Sequence, residues 1–189
     1  MSTKLELPEH TGIALMHLGY SLDNCIDALD AERYGDYNQY LENVQKLIEQ
    51  IKSVDKSRVL YFIEKKHKTK FNSTSKRNGN GIVLPDDAFI VYTNDCGGNV
   101  VGARFCSNQY TRNEFYGFLA EQNIRNVFVG GEWAYYNGCI GCLGEMVRIF
   151  SLKRISVSPL AGCIYPLNPP QKMNRILERI YSNPVVFNN

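Results

Sequence analysis

Asn126 to Leu152, NVFVGGEWAYYNGCIGCLGEMVRIFSL, decides the fold, because strand, loop, thiols and helix follow one another there without a break. Val127, Phe128 and Val129 form a β-branched and aromatic run that ends in Gly130 and Gly131, the pattern of a buried parallel strand. A polar and aromatic loop follows. Ile140, Leu143, Met146, Val147 and Phe150 then recur at helical spacing, which predicts a helix from Cys139 onward with Cys139 and Cys142 on its first turn. Helix N-termini carry partial positive charge and free N–H groups, so they stabilise a thiolate and can hold an oxyanion. Cys139 is therefore the candidate nucleophile.

On the C-terminal side, Arg154 to Ser158 reads as a strand that stops at Pro159. Met173, Ile176, Leu177 and Ile180 mark a last helix, and Val185 to Phe187 a terminal strand. On the N-terminal side, Thr111 and Glu114 form a capping box ahead of Phe115, Phe118 and Leu119. Further upstream, Thr11 to Leu18 reads as a first strand, almost wholly apolar but for His17 near its end. The Asp-rich segment after it is a loop or a short irregular helix. Asp36 then caps a helix whose Tyr37, Tyr40, Leu41, Val44, Leu47, Ile48 and Ile51 share one face. Arg58 to Ile63 is a second strand and Asp87 to Thr93 a third, and Val100 to Phe105 is a short extended piece that pairs with the third.

Strands alternating with helices on short links specify a three-layer α/β/α domain, Rossmann-like, with a mostly parallel central sheet. One domain spanning residues 1–189 suits this length. Ligands of such sheets bind at the carboxyl ends of the strands. His17, His67, Arg104 and Cys139 all follow the ends of predicted strands, so the fold is expected to bring them together.

A net charge of +2 and 21% charged residues give no field that calls for nucleic acid or a membrane surface. No apolar stretch reaches the roughly 18 residues of a membrane span, and the N-terminus has no apolar leader, so a cytoplasmic protein is expected. Six cysteines spread over 189 residues do not read as a disulfide framework. The basic segment Lys65 to Arg77, with six Lys or Arg and no acid, is a solvated loop or an anion contact. Asn72-Ser73-Thr74 matches a glycosylation sequon only by pattern.

The order of elements, and above all Phe105 to Met146, FCSNQYTRNEFYGFLAEQNIRNVFVGGEWAYYNGCIGCLGEM, resembles the isochorismatase-like hydrolases, the cysteine hydrolase superfamily that includes nicotinamidases. The resemblance runs from Thr11 to the C-terminus and sets Cys139-Ile140 against the family's Cys-Val, with about two extra residues in the Glu132 to Tyr136 segment. It implies a carboxylate base ending the first strand, a Lys after the third, and the Cys as nucleophile. Here the first position is His17, and the second is Ala103 with Arg104 beside it. Arg104 supplies charge but delivers no proton as Lys does. His17 is either a base paired with the thiol or a hydrogen-bonded structural residue. The family's metal-binding branch carries Asp-x-His after the second strand; Glu64-Lys65-Lys66-His67 has different spacing, and three histidines cannot build a His-rich centre, so neither metal nor cofactor is expected.

Three functions are therefore in play. The first is a thiol hydrolase or amidase acting on a small amide-like ligand through Cys139, His17 and Arg104, with Glu132, Trp133, Tyr135 and Tyr136 lining the substrate pocket. The second is a catalytically impaired fold relative, a pseudoenzyme that keeps the cleft for a ligand or partner. The third is a redox protein using Cys139-Ile140-Gly141-Cys142 as a CxxC pair. Tyrosines near the cleft, together with the resemblance, point to a homo-oligomer.

Overall fold

Strand β1, Thr11–Met16, is buried along its whole length, as an apolar strand must be when helices cover both faces of its sheet. The computed structural model describes residues 6–19, 31–65, 84–94, 98–137 and 139–186. Helix α1, Ala31–Tyr34, is a single turn. Helix α2, Tyr37–Ile51, starts where Asp36 accepts the N–H groups of Asn38 and Gln39, and it buries the seven residues its spacing predicts. Strand β2, Val59–Glu64, follows a short 3-10 turn, and β3 is Phe89–Thr93.

Strands β4, Val100–Phe105, and β5, Asn108–Tyr110, extend the sheet antiparallel from β3. Helix α3, Arg112–Glu121, opens with the expected capping box between Thr111 and Glu114. Strand β6, Asn126–Glu132, leads into a two-residue hairpin, β7 Tyr135–Tyr136 and β8 Cys139–Ile140, and then into α4, Cys142–Leu152. Strand β9, Ser156–Tyr165, and α5, Arg175–Tyr181, complete the chain.

The seven-stranded sheet has the order β5-β4-β3-β2-β1-β6-β9. Strands β3, β2, β1, β6 and β9 run parallel. The aromatic ring of Phe62 on β2 meets Phe115 of α3 and Phe150 of α4 edge-on, which places both helices side by side on one face. Tyr37 and Tyr40 of α2 pack on Tyr165 of β9 on the other. The expected three-layer, mostly parallel α/β architecture is therefore present.

Three local expectations are corrected. The helix starts at Cys142 rather than Cys139, because Tyr135 and Tyr136 pair with Ile140 and Cys139 and hold Cys139 in β8. Strand β9 runs through Pro159: the Pro159 carbonyl accepts from Val185 N–H on the side away from β6, so its missing donor also faces outward from the sheet and no ladder bond is lost. Val185 makes only an isolated bridge, to Leu160, and Phe187 lies outside the described residues.

Candidate functional site

Strand order reverses between β1 and β6: β2 and β3 lie to one side of β1, and β6 and β9 to the other. In open α/β sheets such a reversal, at the carboxyl ends of the strands, is where ligands bind. Close approach of the two strand ends depends on Gly131, whose φ is +125° and whose added Cβ would sit 2.1 Å from the Met16 carbonyl oxygen. Any larger residue would force the strands apart.

Four polar residues are sealed into this edge: His17, Glu64, Thr93 and Glu132. They end or directly follow β1, β2, β3 and β6. His17 carries the β1–β2 ladder one step further, donating its backbone N–H to Phe62 O, and then turns with φ +48°. Its Nε2 lies 3.1 Å from Thr93 Oγ1, and the Thr93 hydroxyl donates to Ile63 O at 3.3 Å. A threonine hydroxyl has one proton to give. With that proton on Ile63 O, His17 Nε2–H is the donor to Thr93, which puts the ring's lone pair on Nδ1.

Glu132 Oε1 accepts from Gly19 N–H at 2.6 Å and from the Tyr37 hydroxyl at 2.8 Å. The carboxylate thereby clasps the turn after β1 to the start of α2. Burial, followed by the Glu132 carboxylate, holds the Tyr40 phenol well above its ordinary range. Sequence reasoning missed Glu64, Thr93 and Tyr37. The signal that singled out His17, a polar residue closing an apolar strand, applies equally to Glu64 and Thr93.

The thiol lies elsewhere along the same edge. Cys139 is exposed and faces Tyr136 across the hairpin. Cys142 is the first residue of α4, behind Gly141 as a cap with no side chain. The amides expected to form an oxyanion hole are partly used: Leu143 N–H donates to Trp133 O at 3.0 Å and Gly141 N–H to Ala134 O at 3.1 Å. Those bonds dock the helix onto the end of β6 and leave fewer donors for a ligand.

The expected aromatic lining is largely packing. Trp133 and Tyr135 are buried, whereas Tyr136 is 40% exposed. Trp133 meets the rings of Tyr34, Tyr136 and Tyr165 edge-on, and the Tyr135 hydroxyl donates to Asn168 O. Of the proposed lining, Tyr136 presents the most surface.

Arg104 does not join the others. Because β4 is antiparallel, its last residues return to the amino edge: Arg104 pairs with Ile90 near the start of β3, while Val100 pairs with Thr93 at the carboxyl end. Reading the end of a predicted strand as the ligand edge holds only for parallel strands, so Arg104 is exposed at the opposite edge from His17. His67 lies outside the described residues. Among the described residues no group of three His, Cys, Asp or Glu could hold a metal ion, and no helix is long and apolar enough to cross a membrane.

Neither a protein-family model nor a curated protein matches the chain. Among solved structures, an isochorismatase-like hydrolase from Alkaliphilus metalliredigens is similar, with a TM-score of 0.50 and 17% identity over 82% of this chain and 80% of that one. At this identity the likeness is one of fold: the chain shares the α/β architecture of an isochorismatase-like hydrolase.

Proposed function

We propose that this chain keeps the scaffold of the cysteine hydrolases without their thiol reaction, and uses the crevice between β1 and β6 to hold a small-molecule ligand rather than to cleave it. One observation carries the reading: the candidate base, His17, is fully buried with its Nε2 against the Thr93 hydroxyl, whereas the candidate nucleophile, Cys139, is exposed. Two further features support it. The cation set beside the family's Lys position, Arg104, sits at the other edge of the sheet, and the amides at the start of α4 are partly engaged by the backbone after β6. A nucleophilic thiol needs a base within hydrogen-bond reach and donors aimed at the oxyanion, and both requirements are weakened here.

Ammonia release from a panel of small primary amides, nicotinamide included, tests this. Wild type, Cys139→Ala and Cys142→Ala are expected to be indistinguishable from the buffer blank. Turnover by wild type that disappears in either cysteine variant would overturn the reading.

A second reading rests on the exposure of Cys139 together with the place of Cys142 at the head of α4: a thiol enzyme that does not use His17. It predicts amide turnover that survives replacement of His17 and vanishes with the thiol.

A further inference from the structure

The opposite edge of the sheet carries a feature for which the crevice has no use. Between the ends of α3 and α4 lies a cleft of about 590 Å³ whose walls include Tyr116, Leu119, Asn123, Arg125, Lys153 and Arg154. A second hollow of about 360 Å³ shares Arg154 and adds Arg179 from α5. The larger volume falls in the size range of small-molecule sites. Neither wall contains an Asp or Glu among the described residues. The next hollow along shares Arg179 and adds Arg175 together with Glu178, the first acid among these described lining residues.

Three of the four cations are held by neutral groups. Arg125 Nε donates to Asn123 Oδ1 at 2.8 Å, Arg179 Nη1 donates to Ser151 Oγ at 2.8 Å, and Lys153 Nζ lies 4.6 Å above the Tyr116 ring. No carboxylate among the described residues is within ion-pair reach of any of the four. Helix C-termini favour nearby cations. Three of the four line one cleft and the fourth the adjoining hollow, with no Asp or Glu among the described lining residues, and mutual repulsion disfavours that arrangement until an anion enters.

The backbone adds an independent observation. Asn123 and Arg154 occupy equivalent left-handed turns, with φ of +51° and +61°. In each, the next N–H reaches back to the helix: Ile124 to Leu119 O, and Ile155 to Phe150 O. That position normally takes Gly or Asn. Asn123 obeys the rule, whereas Arg154 sets a long cation there at a conformational cost and at the mouth shared by both hollows.

We propose that this cleft binds a small ligand carrying two or more phosphate groups, with Arg125, Lys153 and Arg154 around it and Arg179 at the far end. Nucleoside polyphosphates and inorganic polyphosphate share this chemistry. The inference is independent of whether the thiols catalyse anything.

Isothermal titration of the full chain in chloride buffer, with sodium tripolyphosphate in one arm and ATP in the other, tests it. Saturable one-to-one binding is expected, weakened about tenfold in both Arg154→Gly and Arg125→Gln, as loss of a charge-assisted contact implies. Arg154→Gly should nonetheless melt no lower than wild type, because glycine relieves the left-handed turn. Tighter binding of ATP would assign a nucleoside polyphosphate, and equal binding inorganic polyphosphate. Lys153→Gln serves as a third variant should one arginine variant fail to fold. Absence of saturable binding, binding unchanged in the variants, or binding only of a single-stranded RNA oligonucleotide would overturn the proposal.

Discussion

His17 Nε2 reaches Thr93 Oγ1 at 3.1 Å across the intervening strand β2, so the ends of β1 and β3 are joined by side chains where no backbone ladder connects them. Thr93→Val keeps the shape but removes the hydroxyl and leaves the buried His17 Nε2 without that contact. A loss of about 1–3 kcal/mol in urea unfolding is expected. An unchanged unfolding midpoint would mean that the bond contributes nothing.

Two tyrosines on α2 should respond with opposite sign. The Tyr37 hydroxyl donates to the buried Glu132 carboxylate, so Tyr37→Phe should cost about 1.5–3 kcal/mol, the range for hydrogen bonds to charged groups. The Tyr40 hydroxyl is buried with no hydrogen-bond partner among the described residues. Tyr40→Phe removes a desolvated polar group and should be neutral or stabilising by about 1 kcal/mol. Thermal unfolding of both variants reads the pair in one experiment.

Gly131 leaves no room for a side chain against the end of β1. With its φ in the left-handed half of the map and a Cβ position 2.1 Å from Met16 O, Gly131→Ala should lose about 3 kcal/mol or more, or fail to fold. Gly117→Ala is the control: its Cβ meets nothing within 4 Å, so within a helix the change should be neutral or stabilising by up to about 1 kcal/mol.

The thiols should separate by exposure. Cys106 and Cys139 are exposed and should be alkylated by iodoacetamide in the native state, as followed by peptide mass spectrometry. Burial pushes the Cys163 thiol up to about 12, so it should react only after unfolding. Its pH dependence has a definite sign. The folded state keeps the proton while the unfolded thiol has lost it, so Cys163 makes stability fall as pH rises from about 8.5, the unperturbed thiol value, towards its folded value. Cys163→Ala should flatten that part of a stability-against-pH curve.

Most of the architecture was legible in the sequence because periodicity and capping are local: the Asp36 cap, the Thr111 and Glu114 box and the apolar face of α2 all stand where spacing places them. Arg104 was misplaced because strand direction is a property of pairing across the sheet, which the local pattern of Val100 to Phe105 does not encode. Cys139 reads as helical because Ile140 fits a helical period as well as it fits a hairpin, and pairing with Tyr135 resolves the ambiguity. Glu132 was assigned to a substrate pocket, but its carboxylate holds Gly19 and Tyr37; partners 113 and 95 residues away in the chain leave no trace in its neighbours.

The most direct test of the central claim, that His17 serves the fold and not the thiol, is the second-order rate of Cys139 alkylation by iodoacetamide at pH 7 in wild type and His17→Gln, with Thr93→Val as a second disruption of the same contact. Rates within about twofold of one another are expected, since no base is being removed. A drop of about tenfold or more in His17→Gln, with the fold intact by circular dichroism, would instead make His17 an activating base.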